Sequence, residues 1–177
     1  GHYAHALELH RDKRFPEALQ AALATVQADS TFVEGVLQVA QAHFSMRSFE
    51  PARARFEKAL AMDTSLFSLH YSIGACDLNM GRNEESVASI KKVLRRDKTM
   101  KQAYEVLAGA YYNLQLFDSA EVAYNGLLGL DPKNVSALVN RAASRHQSQK
   151  LDLAMADYDA ALRLDPGNAT VLLNRAV

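Results

Sequence analysis

Apolar side chains along this chain recur at helical spacing, and the pattern itself repeats. Leu130-Asp131-Pro132 returns as Leu164-Asp165-Pro166, and Asn140-Arg141-Ala142 returns as Asn174-Arg175-Ala176, both at a shift of 34 residues. Applied to the whole sequence, that shift needs no gap, and self-similarity at a fixed period marks a repeat architecture. One column holds only small residues: Ala6, Ala40, Gly74, Ala108, Ala142, Ala176. A second small column is Ala18, Ala52, Ser86, Ala120, Ala154, and a third reads Asp29, Asp63, Asp97, Asp131, Asp165 without exception. Aliphatic residues fill Val26, Leu60, Leu94, Leu128, Leu162, and large ones fill Phe15, Phe49, Phe117 and Leu151, with Asn83 between. The pattern predicts paired helices at about 1–12 and 16–28, 33–46 and 50–62, 67–80 and 84–97, 101–114 and 118–130, 135–148 and 152–164, with a further helix from Ala169.

Each column has a physical reason. A small residue on each helix of a pair lets the two axes approach closely, and a larger side chain at Ala108 would overpack that contact at about 1–3 kcal/mol. Phe56, Ile90, Tyr124 and Tyr158 recur at core positions. Asp followed by Pro suits a helix end, because Pro cannot continue the helix and restricts the residue before it. Pro16 and Pro51 fall in the first turn of second helices, where a missing N–H is tolerated.

A 34-residue helix pair with these small and aromatic columns resembles the tetratricopeptide repeat family, over essentially the whole chain. The resemblance implies an all-α fold, a right-handed superhelical solenoid of antiparallel helix pairs forming one array over 1–177. Its units would be about 1–32, 33–66, 67–100, 101–134 and 135–168, with a partial unit at 169–177. It also implies a role in protein binding, with the first helix of each pair lining an inner, concave face. The chain departs from the family pattern in lacking Trp, in Val93 and Leu127 at a column that is usually small, and in Asn83 at an aromatic position.

Helical spacing then selects the inner-face side chains. They are Leu37, Gln41 and Phe44, then Tyr71, Ala75 and Leu78, then Glu105, Gly109 and Tyr112, then Val139, Ala143 and His146, bordered by Ser45, Asn79, Asn113 and Gln147. Ala75, Gly109 and Ala143 suggest a small-residue floor, Phe44, Tyr71 and Tyr112 aromatic walls, and the amides a rim able to pair with a peptide backbone. The competing reading is that the small residues serve only close packing between units. Replacing Tyr112 or Asn113 with Ala is expected to weaken partner binding without unfolding the array. Chaperone-binding members of the family hold a carboxylate with Lys, Arg and Asn; here the inner columns carry no Lys, one acid (Glu105), and only Asn140 and Asn174 as fragments of such a clamp.

Charge and composition narrow the function classes. Hydrophobic residues make up 49% and charged ones 23%, which excludes a disordered tail. Twenty basic and twenty acidic residues cancel, against the basic excess expected of a nucleic-acid binder. No apolar run approaches the roughly 20 residues of a membrane span. The single Cys76 cannot form an intrachain disulfide and points to an intracellular, cytoplasmic setting. The start at Gly1 and the stop at Val177 inside a predicted helix read as a fragment of a longer protein.

Candidate chemistry is sparse. His2, His5 and His10 share one helix without zinc-ligand spacing, and no metal or other cofactor is expected. No nucleophile–base, phosphate-loop or paired-carboxylate motif is present, so the chain is read as non-catalytic. Arg141 and Arg175 stand in a column that elsewhere holds Val39, Ile73 and Leu107, read first as packed stems paired with a neighbouring acid and second as charges presented to an acidic partner. Lys91, Lys92, Arg95, Arg96, Lys98 and Lys101 form a basic run, read first as a solvated face, second as a site for an acidic protein segment, and a distant third as one for nucleic acid or membrane. Gly126 and Gly129 lie inside a helix and mark either close backbone approach or a soft joint. The leading expectation is an adaptor or scaffold binding a protein or peptide, without nucleic acid or membrane insertion. The alternatives are the substrate-recognition arm of a larger enzyme and a self-associating, homo-oligomeric array.

Overall fold

The computed structural model describes residues 1–175. Among them are eleven α-helices and no strand: α1 (His2–Arg11), α2 (Phe15–Ala28), α3 (Val33–Ser45), α4 (Phe49–Met62), α5 (Leu69–Asn79), α6 (Asn83–Arg96), α7 (Lys101–Asn113), α8 (Phe117–Leu130), α9 (Val135–Gln147), α10 (Leu151–Leu164) and α11 (Ala169–Arg175). The boundaries follow the periodic pattern closely. The clearest difference is α5, which begins at Leu69 rather than near residue 67. The preceding residues are taken up by tight turns, in which Phe67 N–H donates to the Ser65 carbonyl (2.7 Å) and Leu69 N–H to that of Leu66 (2.9 Å). Ala176 of the small column lies outside the described residues, as does the end of the partial unit 169–177.

The chain divides into two compact units, residues 1–82 with α1–α5 and residues 83–177 with α6–α11. Within each, every helix packs on its neighbours in sequence order. The two small columns explain why. Ala6, Ala40, Ala108 and Ala142 on first helices, and Ala18, Ala52, Ser86, Ala120 and Ala154 on second helices, are all buried. A side chain no larger than a methyl or hydroxymethyl at these points lets the helix axes close up. Phe56, Ile90, Tyr124 and Tyr158 fill the space beside them and are buried too. So are Val93 and Leu127, the larger residues in a usually small column.

The helix ends are built alike. Each of α1, α3, α5, α7 and α9 ends in a left-handed residue: Lys13 (φ 59°), Arg47 (59°), Gly81 (76°), Gln115 (59°) and Gln149 (60°). At each, the N–H of that residue and of the next reach back to two of the last helical carbonyls, as Gln115 N–H to Tyr112 O (2.9 Å) and Leu116 N–H to Tyr111 O (2.9 Å). This is the Schellman cap, which satisfies carbonyls the helix leaves open. The invariant Asp column serves the other ends. Asp29, Asp63 and Asp97 cap α2, α4 and α6 by accepting the backbone N–H two residues on, from Thr31 (2.9 Å), Ser65 (2.9 Å) and Thr99 (2.8 Å). Hydrogen bonds from those residues' side chains and backbone hold the three carboxyls below the usual range.

Candidate functional site

The Schellman turns also position the aromatic walls. Three residues before each left-handed residue stands an inner-face position, and two after it stands the large column that opens the second helix. In consequence His10 meets Phe15 edge-on (5.1 Å), Phe44 meets Phe49 (5.5 Å) and Tyr112 meets Phe117 (5.3 Å). Edge-to-face pairs at such separations are attractive and orient both rings. Phe44 and Tyr112 are therefore held in place from behind.

In the first unit Leu37, Gln41 and Phe44 of α3 and Tyr71 of α5 line one cleft of about 410 Å³, with Phe56, Leu66 and Leu69 adding apolar wall and His10, Ser45, Ser68 and Ser72 adding polar edge. In the second unit Tyr112 of α7 and Ala143, His146 and Gln147 of α9 line a cleft of about 250 Å³, together with Tyr158 and Asn174. Neither lining includes Asp, Glu, Lys or Arg. Phe56 and Tyr158 belong to one column of the repeat, so the second-helix aromatic that fills the core also forms part of each cleft. Burial pushes the Tyr158 phenol upward, aided by Tyr112 and Asp157, which keeps it neutral and able to donate.

Other inner-face residues are placed differently. Ala75 is buried and lies outside both cleft linings. The Asn79 amide donates to the Ala75 carbonyl of its own helix (2.8 Å). Asn113 donates to Asn83 Oδ1 (3.1 Å), tying the end of α7 to the start of α6. Each of these two rim amides thus has one hydrogen bond made within the fold, and Asn83 replaces the aromatic by a polar contact. Asn140 hydrogen-bonds Tyr124, whose phenol is pushed up to about 12 mainly by burial. Glu105 and Gly109 are outside both cleft linings.

The charged residues that looked out of place are paired. Arg141 makes two parallel bonds to Asp157 (2.9 and 2.6 Å) and a third to Asn125 (2.7 Å). Arg145 bridges Asp157 (2.7 Å) and Glu121 (2.8 Å), and Lys150 joins Glu121 to Asp118 (both 2.8 Å). Burial alone raises the Glu121 carboxyl, but hydrogen bonds and charge from Lys150 and Arg145 outweigh it and hold it low. Arg175 pairs with Asp159 (2.9 Å). In the first unit Arg53 binds buried Asp77 (2.6 Å) and Glu57 (2.9 Å). Nearby, burial, reinforced by Asp77, pushes the Cys76 thiol up to about 12, which leaves it a poor nucleophile or ligand. No three metal-ligating side chains converge among the described residues, and no described helix is long and apolar enough to cross a membrane.

Comparison with known proteins places this architecture. The tetratricopeptide repeat family model matches residues 77–135 and 110–169, together more than half of the chain. No curated protein matches it by sequence. Among solved structures it is similar to MamA from Desulfovibrio magneticus RS-1, with a TM-score of 0.89, 17% identity, and coverage of 95% of either chain. It is also similar to YrrB, described as a TPR protein with an unusual peptide-binding site, at a TM-score of 0.86, 16% identity, and coverage of 99% of this chain and 91% of that one. A further crystal structure of MamA superposes with a TM-score of 0.85 at 18% identity, covering 93% of this chain and 96% of that chain. At such identities the likenesses bear on fold, and the repeat match bears on kinship. The chain belongs to the tetratricopeptide repeat family, whose fold is a protein–protein interaction module.

Proposed function

We propose that the chain is a non-catalytic adaptor or scaffold that receives a peptide or helix on the first-helix face of its repeats, the concave face implied by the family resemblance. The observation carrying this reading is the cleft formed by Tyr112, Ala143, His146 and Gln147, an apolar wall beside hydrogen-bonding groups without Asp, Glu, Lys or Arg. Such a lining suits a segment with an aromatic or aliphatic anchor and an open backbone. The cleft of Leu37, Gln41, Phe44 and Tyr71 repeats the chemistry in the first unit. YrrB, similar in fold, is described as having an unusual peptide-binding site, which supports the same use of this fold. The 34-residue period runs through Arg82 and Asn83 without a gap, so the reading treats 1–177 as one array.

The test is capture of partners by the full-length protein and by its Tyr112→Ala and Gln147→Ala variants, followed by affinity measurement on the recovered partner. Tyr112→Ala removes an aromatic anchor and is expected to weaken binding about tenfold or more. Gln147 is exposed, so its replacement leaves packing intact. Wild-type affinity in both variants, with helicity unchanged, sinks the proposal. Asn113→Ala is a poorer probe than its sequence position implies, because it breaks the bond to Asn83.

A further inference from the structure

The second unit has another cleft, on a different side of α7 from Tyr112. Tyr104, Leu107 and Tyr111 form an i, i+3, i+7 stripe, turned by more than a quarter of the helix circumference from Gly109 and Tyr112. That stripe floors a cleft of about 410 Å³ walled by α6 and α8, with Lys91 on one side and Val122 and Asp118 on the other. Val122 is 68% exposed, an unusual position for a β-branched aliphatic side chain beside an open apolar cleft. The Lys91 ammonium lies over the Tyr111 ring, 5.6 Å from its centre.

The charge around this cleft is one-sided. Asp118 is the single acid in the lining, and Lys150 neutralises it at 2.8 Å. On α6, Lys91, Lys92 and Arg95 are exposed and have no acid within ion-pair distance among the described residues; Lys98 follows in the next turn. The positions three and four residues from Lys91 and Lys92 are Val87, Ala88, Ser89, Leu94, Arg95 and Arg96, none of them acidic. The acids of this helix, Glu84 and Glu85, stand in its first turn. The helix dipole accounts for cations in the last turn, Arg95 and Arg96, but its effect falls off before Lys91 and Lys92. Like charges at i, i+4, as in Lys91 and Arg95, weaken a helix.

We propose that this cleft is a second docking site, for an acidic protein segment carrying aliphatic or aromatic anchors. The anchors enter between Tyr104, Tyr111 and Val122, and the segment's carboxylates face Lys91, Lys92 and Arg95. Charge complementarity chooses this occupant. A nucleic-acid backbone needs no apolar cleft, and the chain as a whole has no net positive charge.

The probe is a short dye-labelled peptide rich in Asp and Glu, with Leu and Phe spaced i, i+4, followed by fluorescence anisotropy. Controls are the same peptide with Lys for its acids, the same with Ser for Leu and Phe, and a single-stranded oligonucleotide. The acidic peptide is expected to bind, more tightly at low salt, and both peptide controls to fail. Val122→Asp and the double variant Lys91→Glu, Arg95→Glu are each expected to lower its affinity about tenfold. Both alter exposed side chains, and circular dichroism checks their folding. Tyr112→Ala is expected to leave this peptide's affinity unchanged, which separates this site from the Tyr112 cleft. The proposal is overturned if the acidic peptide does not bind, if neither variant weakens it, or if the oligonucleotide binds more tightly through the same lysines.

Discussion

Gly126 and Gly129 lie one turn apart in α8, and the same substitution in the two should have opposite effects. Gly to Ala inside a helix gains roughly 0.5–1 kcal/mol by reducing backbone freedom in the unfolded chain. A Cβ on Gly129 meets nothing within 4 Å, so Gly129→Ala should realise that gain. A Cβ on Gly126 would stand 2.7 Å from Tyr104 Cδ1 and 3.0 Å from its Cζ, with Cε1 closer still. The ring must swing out, and overpacking of this kind costs about 1–3 kcal/mol. The net for Gly126→Ala is destabilisation by as much as about 2 kcal/mol, and the two variants should differ by about 1–3 kcal/mol. Urea denaturation followed by far-ultraviolet circular dichroism measures the difference. A cycle with Tyr104→Ala isolates the cause: in that background Gly126→Ala should stabilise as Gly129→Ala does. Equal stabilisation by both single variants in the wild-type background would refute the reasoning.

Three further outcomes are expected. Glu121→Gln leaves Arg145 and Lys150 short of a charged partner and should cost roughly 1–3 kcal/mol, less than breaking an isolated buried pair because Asp157 and Asp118 remain. Since the folded Glu121 carboxyl lies below the ordinary glutamate range, its contribution is present above that range and is lost as pH falls through the folded value. The acid limb of the stability profile should therefore flatten in Glu121→Gln. Gln115→Gly relieves a left-handed backbone (φ 59°) and should stabilise by about 1 kcal/mol, whereas Gly81→Ala (φ 76°) should destabilise by a similar amount, both read from thermal midpoints. Cys76, fully buried with its thiol pushed to about 12, should react with a thiol reagent only as fast as the protein opens. Rapid modification in native buffer would contradict its placement.

The period was legible because it is a packing constraint repeated in sequence. Wherever two helices cross closely only a small side chain fits, and Ala6, Ala40, Gly74, Ala108 and Ala142 record that crossing directly. The Asp column is equally local, since its partner N–H lies two residues away. Candidate cleft residues were half legible. Helical spacing alone puts Leu37, Gln41 and Phe44 on one face, and likewise Ala143, His146 and Gln147, but it cannot show that the Asn79 and Asn113 amides each make a bond within the fold. The left-handed turns were hidden at four of five positions, because Lys13, Arg47, Gln115 and Gln149 give no glycine signal. Their conformation follows from the Schellman bonds and the packing of the next helix.

Sequence by itself thus determined the helices, their pairing into a repeat and the chain's family, all properties of residues close together or related by a fixed shift. Only the tertiary structure decided which partners distant residues find. Arg145 meets Glu121 and Asp157 from helices on either side, Tyr104 rests on Gly126 while Gly129 faces open space, and Lys91 comes to lie beside an apolar cleft. Such contacts depend on the distance and facing of packed helices, quantities that no single helix's periodicity contains.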